Sequence, residues 1–91
     1  MRVAFTHHAI DRLNRRMNIR IRPTTEVDIS ESFVKIRTYI HHTHGNVVEN
    51  WASRDRSNPC VMVIDRDSQV VMTVITSGPV VTDAYRNAFN Q

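Results

Sequence analysis

Cysteine, glycine and proline are scarce in this chain: one Cys, two Gly and three Pro in 91 residues. A lone Cys60 forms no internal disulfide, which agrees with a reducing compartment. With so little glycine there is no Gly-rich phosphate loop, and no Ser or Cys nucleophile elbow or defensible carboxylate pair occurs either. No apolar run approaches the ~20 residues that cross a bilayer. No apolar leader follows Met1, so a cytoplasmic protein without membrane attachment is expected. Metal-type spacings such as C-x₂-C or H-E-x-x-H are missing. The reading of the residues assigns neither metal nor cofactor.

What is present fits a single domain over residues 1–91, with 41% apolar and 23% charged residues, ordinary for a folded globular chain. The net charge is +3, carried by eleven arginines and one lysine against nine acids. Its distribution is uneven. Residues 1–22 hold Arg2, Arg12, Arg15, Arg16, Arg20 and Arg22 against Asp11 alone, while the rest of the chain is slightly acidic. A cationic field gathered at one end attracts anions, and arginine's planar fork suits phosphate.

The periodicity predicts an α+β fold: N-terminal helices packed on an antiparallel sheet of about four strands, then a short C-terminal helix. Arg2–Phe5 reads as an edge strand or lead-in. Thr6 caps a helix to about Met17, and residues 19–23 are extended before Pro23. A second, weak helix is expected over residues 24–34. Residues 36–44 and 47–53 form one hairpin about His44-Gly45-Asn46, with Ile36, Thr38 and Ile40 opposite Arg37, Tyr39 and His41. Residues 60–64 and 70–76 form another, apolar enough to be covered on both faces. Thr82 caps a last helix whose Ala84, Tyr85, Ala88 and Phe89 share a side.

The first helix carries the chemistry. His8, Arg12 and Arg16 recur at i, i+4 and i+8 and drift across roughly 80° of its surface, away from Ile10, Leu13 and Met17. Histidine titrates near neutrality and serves as base or acid, and neighbouring guanidinium groups stabilise charge on phosphate oxygens. The same spacing also occurs on plain solvated helices. His7, about 100° round the helix, competes with His8. His41-His42-Thr43-His44 offers further imidazoles: a polar hairpin tip, an extension of an anion site with Arg37, or a pair, His42 and His44, that would need Cys60, Glu49 or His8 to complete a metal site. Trp51 and Tyr39 suit base stacking or sheet packing. Thr73 interrupts apolar strand surface and either holds a phosphate oxygen or is a hydrogen-bonded strand former.

Phe5-Thr6-His7-His8-Ala9, continuing to Arg12 and Arg16, resembles the opening T-x-H-A-x-x-R-x-x-x-R of a family of small bacterial and phage domains. That family is related to the RelE/ParE toxins and the barnase–EndoU–colicin–RelE ribonuclease group. Val61–Asp65 followed by Val70–Ile75 is similar to that family's closing hairpin. The resemblance implies a metal-independent, toxin-like endoribonuclease that cleaves by 2′-hydroxyl attack, or a degenerate relative that only binds. Carried onto this chain, it implies His8, Arg12, Arg16 and Thr73 as site residues. The stretch from His41 to Asn58 has no counterpart in the family pattern.

Two functions stand as expectations. In the first, a hydrolase cleaves tRNA or mRNA with His8 or His42 as base or acid, the second proton carrier being one of His7, His41, His42 and His44, with Arg12 and Arg16 on phosphate and Thr73 orienting an oxygen. His7, Arg15, Arg37, His44 and Trp51 would bind RNA, and an antitoxin or host protein would be a partner. In the second, a non-catalytic module docks on a nucleic acid or host protein through the basic helix face.

Overall fold

Thr6 starts the first helix by reversing its hydroxyl towards the backbone: Oγ1 accepts the Ala9 N–H at 3.1 Å, meeting one of the orphan donors of the first turn. The helix ends at Asn18, whose φ of 54° places it in the left-handed region that Asn tolerates, and the Ile19 N–H closes back on the Leu13 carbonyl at 3.1 Å. The computed structural model describes residues 1–23 and 25–89, residues 88 and 89 only by their place in a helix. Its elements are β1 (Arg2–Phe5), α1 (His7–Met17), β2 (Val27–Asp28), β3 (Phe33–Ile40), β4 (Val47–Ser53), β5 (Val61–Asp65), β6 (Val70–Ile75) and α2 (Pro79–Phe89).

The six strands form one mixed sheet in the order β2-β1-β6-β5-β4-β3. β1 is internal. It lies parallel to β6, with Ala4 opposite Val70 and Phe5 opposite Val71, and antiparallel to the short β2. The remaining pairs are antiparallel hairpins. Each face of the sheet carries one helix. Ala9, Ile10 and Leu13 of α1 pack with Val3, Phe5, Met62 and Ile64 in the larger core. Val81 and Ala84 of α2 pack with Ala52 and Val61 in the smaller one, beside Val34, Ile36, Ile75 and Tyr85. β5 separates these cores, so Val61 to Ile64 are all buried, as a near-continuous apolar strand covered on both faces requires.

The α+β class stands as expected, but among the described residues the sheet has six strands rather than about four, and one helix precedes the hairpins. The predicted second helix is absent among the described residues of that stretch; Thr24 lies outside them. A single turn closes there, the Phe33 N–H donating to the Ile29 carbonyl at 2.9 Å. It goes no further because Phe33 and Val34 are taken into β3 opposite Ser53 and Ala52. Pairing outweighs a weak helical pattern rich in β-branched residues. α2 begins at Pro79, which needs no N–H in the first helical position. Thr82 is therefore no cap: it sits one turn in, with Oγ1 donating to the Gly78 carbonyl at 3.2 Å. Ala84 and Tyr85 do share a side as expected, while the side chains of Ala88 and Phe89 lie outside the described residues.

Two β-bulges decide which side chains meet. In β3 the register shifts between Lys35 and Arg37, leaving Ile36 as the extra residue. Simple alternation would put Arg37 and Tyr39 on the face opposite Ile36. The bulge instead brings Ile36, Arg37 and Tyr39 together on the α2 side. In β6, Val71 pairs with Ile64 and Thr73 with Val63, so Met72 is the extra residue. Val71 faces α1 with Ile64, whereas Thr73 shares the face of Val63, towards α2.

Candidate functional site

The outer face of α1 gathers five of the predicted residues. His7, His8, Arg15 and Arg16 are exposed and Arg12 is half-buried, while Ala9, Ile10 and Leu13 face the core. Arg15 pairs with Asp11 one turn earlier, at 3.0 Å between largely exposed side chains, an interaction worth little in water. Among the described residues, Arg12, Arg16, Arg20 and Arg22 have no carboxylate within ion-pairing distance. Arg15 and Arg16 also occupy the last turn, where cations offset the negative end of the helix dipole.

The other predicted residues stand elsewhere. Thr73 was expected to join His8, Arg12 and Arg16 in one cleft. The Met72 bulge turns it to the far side of the sheet, and α1 and Thr73 have the sheet between them. His42 lies on the β3–β4 turn. Within the sheet β4 and β5 lie between β3 and β6, the strand beneath α1, but the turn reaches back to β6, with Asn46 Nδ2 3.9 Å from Met72 Sδ. The geometry thus brings together the helix triad and places Thr73 across the sheet from it.

His41, His42 and His44 form a compact group of their own. The His41 ring stacks on His42 at 5.0 Å and on His44 at 4.8 Å between centroids. Its Nδ1 accepts the backbone N–H groups of Thr43 (3.2 Å) and His44 (3.3 Å). That lone pair holds the turn and is spent. Among the described residues no group of three His, Cys, Asp or Glu side chains is placed to hold a metal ion.

Of the two roles expected for Trp51, base stacking and sheet packing, the structure shows the second. Trp51 packs against the larger core, half-buried, with its indole N–H donated to Glu49 Oε1 at 3.0 Å. Glu49 in turn meets Lys35 at 3.7 Å. A buried carboxylate with two donors is a structural arrangement. Arg37 sits on the α2 face, its guanidinium carbon 4.6 Å from the centroid of the Tyr39 ring, in a groove lined also by Asn50. Sequence reasoning passed over Asn50. The available signal was a polar pair, Glu49-Asn50, in the middle of a strand whose neighbours are apolar.

The chain matches no protein-family model, no curated protein and no solved structure. The likeness to the RelE/ParE group therefore rests on residues 5–16 and 61–75 alone. No helix among the described residues is long and apolar enough to cross a membrane.

Proposed function

We propose that this chain is an RNA-binding module that grips the phosphate backbone with the outer face of α1 and does not cleave it. The observation that carries this reading is a helix face with His8, Arg12 and Arg16 in line, in which neither Arg12 nor Arg16 has an acidic partner among the described residues. A guanidinium already paired to a carboxylate has to give that partner up before it takes a phosphate. An unpaired one releases only water and counterions. Arg20 and Arg22, exposed just beyond the helix, extend the same charge.

The placement of Thr73 across the sheet from the helix favours binding over cleavage. Phosphodiester cleavage without a metal needs base, acid and charge stabiliser around one phosphate. Here Thr73, the expected orienting group, faces away from His8, Arg12 and Arg16.

The test is binding of a labelled single-stranded RNA followed by anisotropy over a salt series. Each phosphate contact contributes about −0.7 to the slope of log affinity against log salt for single strands. Arg12→Gln with Arg16→Gln is expected to flatten that slope by roughly 1.4. His8→Gln is expected to leave the slope near the parent's, and RNA incubated with the protein in EDTA to stay intact. An unchanged slope in the double variant overturns the helix as the binding face. Cleavage that His8→Gln abolishes overturns the non-catalytic reading.

A further inference from the structure

A groove of about 550 Å³ opens on the α2 side of the sheet, across the molecule from the basic helix. Its size lies within the ~300–1,000 Å³ of small-molecule sites. Val63 and Asn50 form its floor, and Arg37 and Tyr39 rise on one side through the β3 bulge. Val80 and Asp83 of α2 face them.

Asn50 is the unusual member. It is only 6% exposed, and its Oδ1 accepts the Tyr39 hydroxyl at 3.3 Å. Its amide nitrogen donates to no protein atom among the described residues, yet it is not sealed from solvent. Asn50 lines the groove, where an unused amide donor on a buried residue gains most from an acceptor. The Arg37 guanidinium has no carboxylate within ion-pairing distance among the described residues, and it is held over the Tyr39 ring at 4.6 Å. Cation–π contact of this kind orients the fork without using its donors.

We propose that this groove binds a small monocarboxylate carried on a flat apolar body. The carboxylate takes N–H donors from Arg37 and Asn50, both anchored through Tyr39, and the body lies on Val63, Ile75 and Val80. Among the described residues Arg37 is the one cationic side chain lining the groove, and the Asp83 carboxylate stands opposite it, so a monoanion suits the groove better than a dianion or a phosphate backbone. This site is independent of the RNA reading, because the sheet lies between the two.

The experiment is a titration of the ¹⁵N-labelled chain with 1-naphthoate and, separately, with neutral 1-naphthamide, followed by amide correlation spectra. Saturable shifts are expected at the Asn50 side-chain amide and at groove positions of β3 and α2. Naphthoate is expected to bind at least about tenfold tighter than the amide, as loss of one charge-assisted pair implies. Arg37→Gln changes an exposed side chain and Asn50→Asp is nearly isosteric. Each is expected to weaken naphthoate by about tenfold or more, with spectral dispersion confirming the fold. If Asn50→Asp fails to fold, Arg37→Gln decides. Equal affinity for acid and amide, shifts confined to α1, or no saturable shift overturns the proposal. Added RNA is expected to move α1 signals and leave Asn50 in place, so failure of one reading is distinguishable from failure of the other.

Discussion

The Thr6 hydroxyl donates to the Met72 carbonyl at 2.9 Å while it accepts the Ala9 N–H. One small side chain thus joins the start of α1 to the bulge of β6, 66 residues away. The cap and the strand carbonyl lose their partner together in Thr6→Ala. The expected loss of stability is about 1–2 kcal/mol by chemical denaturation, with Thr6→Ser recovering most of it.

Cys60 lies 1% exposed in the larger core, and burial pushes its thiol up from 9.0 to about 11. The neutral thiol is the favoured buried form, and the unfolded chain loses its proton first. The stability tied to Cys60 is therefore complete below about pH 9 and falls as pH rises towards 11. Burial raises the Tyr85 phenol in the same direction. A thiol reagent is expected to leave the native protein unlabelled at pH 8 and to react fully once denaturant is added. Rapid native labelling would contradict this.

Tyr85 anchors α2 to the sheet: its hydroxyl is 2.8 Å from the Ser53 carbonyl and takes the Cys60 N–H at 3.1 Å. Tyr85→Phe keeps the ring in place and strips both groups of their partner. The expected cost is about 1–3 kcal/mol by denaturant unfolding. Hydrogen exchange at the Cys60 amide is expected to accelerate with it.

Asp65 is held below the ordinary carboxylate value of 3.8, first by the backbone N–H of Ser68 and then by the Asn46 side-chain amide, 2.7 Å away. A depressed carboxylate contributes stability above its unfolded value, and that contribution disappears as pH falls through the lower folded value. Asp65→Asn is expected to flatten the acid limb of the stability profile below about pH 4. An unchanged acid limb would show that the turn's hydrogen bonds hold without the charge.

The two sides of α1 separate in mutagenesis. Leu13, 1% exposed, is expected to cost about 2–5 kcal/mol as Leu13→Ala. Arg16→Ala, on the solvent side, is expected to stay within about 0.5 kcal/mol of the parent. A large stability loss from Arg16→Ala would assign that residue to packing.

Local signals carried as far as local physics did. Thr6, the apolar spacing of Ile10 and Leu13, and the turn residues around Gly45 place α1 and the β3–β4 hairpin within a few residues of their true limits. The place of β1 was hidden because a strand of four residues shows no neighbour in its own composition, and its parallel partner Val70 stands far along the chain. Bulges hide as well. Nothing in Lys35-Ile36-Arg37 or Val71-Met72-Thr73 announces an extra residue, yet each reverses the facing of the strand residues beyond it. Strict alternation therefore misassigned Arg37 and gave no warning that Thr73 lies away from α1. The basic face of α1 was legible, because three residues at helical spacing need no knowledge of the rest.

The insertion of β1 between β2 and β6 also fixes an order of events during synthesis. Phe5 pairs with Val71, and α1 buries Leu13 against the cluster that contains Val71 and Val74. Until those late residues leave the ribosome, the first helix has no surface to settle on and its apolar side stays open to water. The hairpins from β3 to β6 join neighbouring stretches and need no such wait. The docking of β1 and α1 is thus the long-range, slow event of folding.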